Sequence, residues 1–258
     1  GGHVVAQAMD AASQTVDEGY VLHSLHCYFL RPGKAGQDII YDVDPIREGR
    51  SFFTRRVVAI QDGKAIFSVS FNYHKPEPGL EHQIDMPSVP QPEELDDDES
   101  YFKQYLRSAG ADERRAPALP FEMRTIDRVD LANPKPKDPI GGYWMRLKSP
   151  LPNEYSNDPL VHARLLAYQS DFAFIVAALR PHALPAQDPR MKTLASLDHT
   201  MWLHTLNFRV DDWIFYRTEG YWAGAGRGLS RGALYTRDGR LIASTAQEGL
   251  MRLTPDAL

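Results

Sequence analysis

The chain has 258 residues, 43% hydrophobic and 24% charged, an ordinary globular composition long enough for one large domain or two small ones. A net charge of −5 with no basic block gives a nucleic-acid partner no electrostatic support. No apolar run approaches about 18 uninterrupted residues, which argues against a membrane-spanning helix.

In chain order, GGHVVAQAMDAA opens a helix over about 2–16. A start at Gly1, already inside a helix, implies residues upstream, where any targeting signal would lie. Strands are expected at 22–30, 38–46 and 51–60, the last entering a hairpin that turns at Asp62-Gly63. Cys27 is the single cysteine; it excludes an internal disulfide, fits a reducing compartment and reads as a small apolar core residue. Residues 76–117, rich in proline and acid, read as a linker with a short helix at 100–108. The run Asp96-Asp97-Asp98-Glu99 reads as a solvated face or helix cap. Strands at 121–131 and 143–149 precede a long apolar helix over 159–180, capped by Asp158, started by Pro159 and stopped by Pro181. Further strands fall at 194–203, 213–222, 229–236 and 241–253. The terminus Pro255-Asp256-Ala257-Leu258 is not a Ser-Lys-Leu peroxisomal address.

The chain repeats itself. RRVVAIQDGKAIFSVSFNY at 55–73 aligns with RGALYTRDGRLIASTAQEG at 231–249, so Arg55, Asp62-Gly63, Ile66 and Ser68 fall on Arg231, Asp238-Gly239, Ile242 and Ser244. Each half then has a helix followed by an antiparallel meander with a long hairpin. This implies an α+β fold in which each sheet wraps a helix, with units at 1–75 and 118–258 joined by the linker. The opening strands of the first unit would lie upstream of Gly1.

Two polar residues break the pattern. Asp171 sits in the run LLAYQSDFAFIVAAL at 165–179, where its helical neighbours Ala167, Tyr168, Phe174 and Ile175 would face a core. A buried carboxylate needs partners or a shifted pKa, and both are common at active sites. The alternative is a polar stripe with Arg164 and Ser170. Gln247 lies on the face of the last strand shared by Leu241, Ala243 and Thr245, where the first half has Phe71. Its amide either pairs with a nearby Asp171 or is wetted at the strand end.

Other signals are weaker. Gly224-Ala225-Gly226-Arg227-Gly228 has no following helix and reads as a bent strand rather than a phosphate loop. His23, His26, His199 and His204 lack partners at metal-ligand spacing. No Gly-x-Ser-x-Gly elbow supports a serine hydrolase.

The segments GGHVVAQA (1–8), HSLHCYFLRPG (23–33), SFFTRRVVAIQDGKAIF (51–67), HQIDMP (82–87), AYQSDFAF (167–174), ASLDHTMWLH (195–204) and STAQEGLMR (244–252) span the chain colinearly. Together they make it resemble the acyl-CoA thioesterase II family, whose members are double-hotdog proteins. The resemblance implies a catalytic Asp171, Ser196 and Gln247 positioning a hydrolytic water. Ser196 rests on resemblance alone, because strand alternation puts it with Asp198 and Thr200. His23 is a further catalytic candidate, ranked below these three.

On this reading Asp171 is the general base, while Gln247 and Ser196 hold the carboxylate and water. Backbone N–H groups that the sequence does not identify would stabilise the oxyanion. No metal or redox cofactor is required. The acyl chain is expected in an apolar channel lined by Phe172, Phe174, Trp202 and Trp222. Arg55, Arg56, Arg227 and Arg231 are candidate contacts for coenzyme A phosphates. The expected location is cytoplasmic, with peroxisomal as the alternative, and the expected assembly is a homo-oligomer. The competing readings are a hotdog enoyl-CoA hydratase, which would want an Asp–His pair, and a non-catalytic acyl-CoA-binding protein.

Overall fold

Asp62 (φ 50°) and Gly63 (φ 71°) form a two-residue turn between Gln61 and Lys64, the primed geometry that matches strand twist. The second Asp-Gly behaves differently. Only Gly239 (φ 87°) is left-handed, and the chain closes through Thr236 and Arg240 around a three-residue loop. The computed structural model describes residues 1–257; Leu258, the end of the terminus read above, lies outside the described residues.

Helix α1 (Gly2–Ser13) buries Val5, Ala8, Met9 and Ala12, a stripe at helical spacing. It leads into β1 (Val21–Phe29), β2 (Ile40–Glu48), β3 (Phe52–Gln61) and β4 (Lys64–His74). The linker contains α2 (Asp98–Ser108), whose first turn is capped by Asp97 accepting from the Ser100 N–H. The second half holds β5 (Phe121–Ile126), β6 (Ile140–Leu147) and α3 (Pro159–Ser170), then a 3₁₀ segment (Phe174–His182). It ends with β7 (Met191–Ser196), β8 (Asp198–Leu203), β9 (Ile214–Gly224), β10 (Arg227–Thr236) and β11 (Leu241–Leu253).

The strands form one antiparallel sheet in the order β2-β3-β4-β1-β8-β11-β10-β9-β6-β5, with β7 also paired to β11. The two halves join through β1 and β8. Helices α1 and α3 pack against each other inside the curved sheet, as the α+β expectation requires.

The expected 159–180 helix is a departure from expectation. It stops at Ser170, and Ala173 takes a left-handed φ of 57° before the 3₁₀ segment begins, with Pro181 inside that segment. The orphaned carbonyls at the break are met by tyrosines. Tyr216 Oη donates to the Ser170 carbonyl at 3.0 Å, and Tyr143 Oη to the Phe172 carbonyl at 3.0 Å. Burial raises both phenol pKa values, so they stay protonated donors.

Arg55 is a second departure. It shares the inward face of β3 with Phe53, Val57 and Ala59 and is 1% exposed. Its guanidinium donates to Thr15 Oγ1 (2.9 Å), the Thr15 carbonyl (2.7 Å) and Glu48 Oε1 (2.6 Å). Nη1 donates to the Arg47 and Thr54 carbonyls at 3.3 Å, so Arg55 is a structural clamp between the segment after α1 and the sheet, with no donor left for a phosphate. Arg55→Ala is expected to destabilise the fold by about 1.5–3 kcal/mol, the worth of hydrogen bonds to a charged group. Thermal unfolding measures the loss, and KM for an acyl-CoA should not move.

Candidate active site

Because α3 ends at Ser170, Asp171 becomes its C-cap, still right-handed at φ −81° and ψ −22°, with a side chain only 8% exposed. Two donors meet it. The Gly2 N–H, in the first turn of α1, reaches Oδ2 at 2.8 Å. Ser196 Oγ reaches Oδ1 at 3.3 Å. The first half therefore contributes a backbone group to the cluster, which strand patterning did not anticipate. Gly2 has no room for a side chain: a Cβ there would stand 1.9 Å from the Tyr168 carbonyl oxygen. Gly2→Ala is expected to push α1 off α3, costing about 1–3 kcal/mol and pulling the N–H from Asp171. Paired melting and turnover measurements check both effects.

Ser196 faces the cluster because of a β-bulge. Ser196 pairs with Gly249 and Thr200 with Ala246, so Leu197, Asp198 and His199 oppose only Gln247 and Glu248. The extra residue shifts the alternation. Ser196 and His199 both turn inward, instead of Ser196 joining Asp198 and Thr200. Gln247, 1% exposed, donates from Nε2 to Ser196 Oγ at 2.6 Å. Its Oε1 lies 2.7 Å from His199 Nδ1, and His199 Nε2 lies 2.9 Å from Ser170 Oγ. The expected direct Gln247–Asp171 pair is thus replaced by one bridged through Ser196.

Donor chemistry fixes the direction of this chain. A carboxylate only accepts, so Ser196 gives Asp171 its single proton and accepts from the Gln247 amide. Gln247 Oε1 must then accept from His199 Nδ1–H. Complete burial lowers the His199 pKa and keeps it neutral, leaving Nε2 to accept from Ser170. Every bond points toward Asp171. His199 is the functional residue the sequence reading missed, having been weighed only as a metal ligand.

Asp171 and Ser196 border a mainly apolar cavity of about 620 Å³, within the range of small-molecule sites. Phe172, Ile175, Val176 and Leu179 line it, so the 3₁₀ segment forms one wall. Of the expected channel residues, only Phe172 is there. Phe174 is fully buried, packed on His199 and Tyr216. Trp202 and Trp222 alternate to the outer face, 39% and 45% exposed. Trp202 stacks edge-on with His26, and Trp222 lies under Arg227.

None of the four candidate arginines borders the cavity. Arg56 pairs with Asp44, Arg227 with Glu248, and Arg231 lies 4.0 Å over the Tyr221 ring. The bordering cations are Arg128, Lys148 and Arg180, which sequence reading did not select. They pair with Asp98, Glu99 and Asp127. His23 is the bulged residue of β1 beside Phe52 and His74, and it does not border the cavity.

The first half shows the same framework without the chemistry. Its bulge at His23 places Leu22 and Leu25 three residues apart on the core side, like Ser196 and His199. Leu25 pairs across the strands with Phe71. Leu22, Leu25 and Phe71 thus occupy the positions of Ser196, His199 and Gln247, and the C-cap of α1 is Gln14 where α3 has Asp171.

Residues 65–251 match the family model described as acyl-CoA thioesterase C-terminal domain, and residues 1–74 match the acyl-CoA thioesterase N-terminal domain. The chain is 40% identical to mouse acyl-coenzyme A thioesterase 8, over 99% of this chain and 80% of that protein. It is 39% identical to acyl-CoA thioesterase 2 of Haemophilus influenzae, over 98% and 87%. Among solved structures, the acyl-CoA thioesterase II TesB2 from Mycobacterium marinum superposes with a TM-score of 0.81 at 36% identity, covering 99% of this chain and 90% of that one. A hot dog fold protein from Alicyclobacillus acidocaldarius, 19% identical, superposes with a TM-score of 0.76 over 98% of this chain and 87% of that one, a likeness of fold. With matching domain models over both halves and relatives near 40% identity along its length, the chain is a double hotdog and belongs to the acyl-CoA thioesterase family.

Proposed function

We propose that this protein hydrolyses acyl-CoA to free acid and coenzyme A, with Asp171 as general base on the attacking water. The observation that carries the reading is the buried, one-directional hydrogen-bond chain ending on a carboxylate at the wall of an apolar cavity. Such a chain is absent from the apolar first-half counterpart.

In the proposed reaction the acyl chain lies in the cavity and brings its thioester carbon to Asp171. The carboxylate takes a proton from water as the oxygen attacks the carbonyl. The tetrahedral intermediate expels the coenzyme A thiolate, and the proton returns to the leaving sulfur. A thiolate leaves readily, so an oriented and partly deprotonated water suffices. Ser196 and the Gly2 N–H hold the carboxylate in one orientation, while Gln247 holds Ser196.

An enoyl-CoA hydratase would need a histidine beside the aspartate. His199 is instead neutral, buried behind Gln247 and Ser196, and away from the cavity wall. A pure binding module would need no buried polar chain, as Leu22, Leu25 and Phe71 illustrate.

A chain-length series of saturated acyl-CoA substrates with thiol detection tests the reading. Thiol release, with a chain-length optimum set by the cavity, is expected. Binding without thiol release would reject it. The assembly that goes with this reading is a homo-oligomer joined through the sheet edges at β2 and β5, and a monomeric mass in light scattering would reject it.

A further inference from the structure

We propose that His199 is a positioning residue that selects one of the two orientations of the Gln247 amide and so keeps the Ser196 proton on Asp171. This rests on the hydrolytic reading above and goes beyond it.

The fold does not ask for a histidine here. The equivalent first-half position is Leu25, fully buried against Phe71, and the same bulged strand pairs in the same way around it. In the second half both members of that cross-strand pair are polar, and they bond to each other at 2.7 Å. Burying an imidazole and an amide where leucine and phenylalanine would pack is unfavourable unless the hydrogen bonds are used.

An amide has two ends of nearly equal shape and opposite hydrogen-bonding character. With Nε2 toward Ser196, the hydroxyl accepts and gives its own proton to Asp171. Were the amide turned over, Oε1 would face Ser196 and draw that proton away, leaving Asp171 Oδ1 without its hydroxyl donor. Ser196 can accept from Nε2 or donate to Oε1, so the direct neighbour of the amide that distinguishes the orientations is His199 Nδ1–H, because it can bond only to Oε1. Ser170 Oγ, at 2.9 Å from Nε2, gives its proton to that nitrogen when the imidazole hydrogen is on Nδ1, and to the Ala167 carbonyl at 3.0 Å in the other tautomer, so the choice of tautomer rests with the Gln247 oxygen. His199 touches neither the cavity nor the carboxylate, so it acts through Gln247.

The test compares His199→Leu and His199→Asn in the full-length protein. The leucine copies the first-half residue, and the asparagine Nδ2–H replaces the donor at Nδ1. With an acyl-CoA substrate and thiol detection, His199→Leu is expected to lower kcat about ten- to a hundredfold, the usual scale for a group that orients a reacting residue, with little change in KM. His199→Asn is expected to restore most of the loss. Wild-type kcat in a folded His199→Leu protein, or equal losses in both variants, would overturn the inference. Asp171→Asn is run alongside. If it is inactive while His199→Leu matches wild type, only the His199 assignment fails; if it is fully active, the hydrolytic reading fails and this inference with it. Should His199→Leu not fold, ring ¹⁵N NMR of the wild type decides: the neutral Nδ1–H tautomer is expected, and an Nε2–H tautomer would overturn the assignment.

Discussion

Asp171→Asn is expected to reduce kcat by about 10²–10⁴-fold, the range for loss of one general base, in a protein that folds and melts like the wild type. Asparagine fills nearly the same volume. Its Oδ1 can still accept from the Gly2 N–H, which reaches Asp171 at 2.8 Å. What it cannot do is take a proton from water. With that oxygen on Gly2, the amide nitrogen stands where Ser196 donates, so the hydroxyl accepts from it and turns its own proton elsewhere. The effect should therefore fall on turnover and leave acyl-CoA affinity largely intact. Steady-state kinetics with thiol detection, beside a thermal melt, separate the two. Wild-type-like turnover in the folded variant would remove Asp171 from the mechanism.

Gln247→Ala is the second large effect, and it should exceed that of Ser196→Ala. Truncating Gln247 orphans two groups at once: the half-buried Ser196 oxygen loses its donor at 2.6 Å, and the fully buried His199 Nδ1–H loses its acceptor at 2.7 Å. The unsatisfied buried imidazole N–H costs about 1–3 kcal/mol, so stability and turnover should both fall. Ser196→Ala removes one donor from Asp171 and leaves the Gly2 N–H in place. The ranking is read from kcat at saturating substrate, and equal activity of Gln247→Ala and wild type would contradict the role given to Gln247.

The parts of the site legible in the sequence were those that violated a simple period. Asp171 stood out in an apolar run, and Gln247 stood out because the internal repeat put Phe71 at its position. Ser196 could not be found this way. Its inward aim depends on one extra residue where β7 passes into β8, relative to β11, a pairing fact that strand alternation cannot carry. His199 was hidden by the same bulge, and a buried neutral histidine leaves no local signature of its partners. The break at Asp171–Ala173 was also invisible, since nothing in Phe-Ala-Phe opposes helix; it is held by tyrosine hydroxyls from β6 and β9, distant in sequence. Arg55 had a usable signal, its alternation with Phe53, Val57 and Ala59, which outranks the habit of reading arginines as phosphate contacts. The α+β architecture was readable because repeat, hairpin signals and helix stripe all agreed.

The claim that Asp171 activates water, rather than attacking the thioester itself, is tested most directly by a single turnover in ¹⁸O water with enzyme in excess over acyl-CoA. If Asp171 is a general base, the first-turnover carboxylic acid carries one solvent ¹⁸O, and mass spectrometry of the peptide containing Asp171 finds no label. Label appearing on Asp171, with unlabelled acid released, would show attack by the carboxylate through an anhydride and contradict this account.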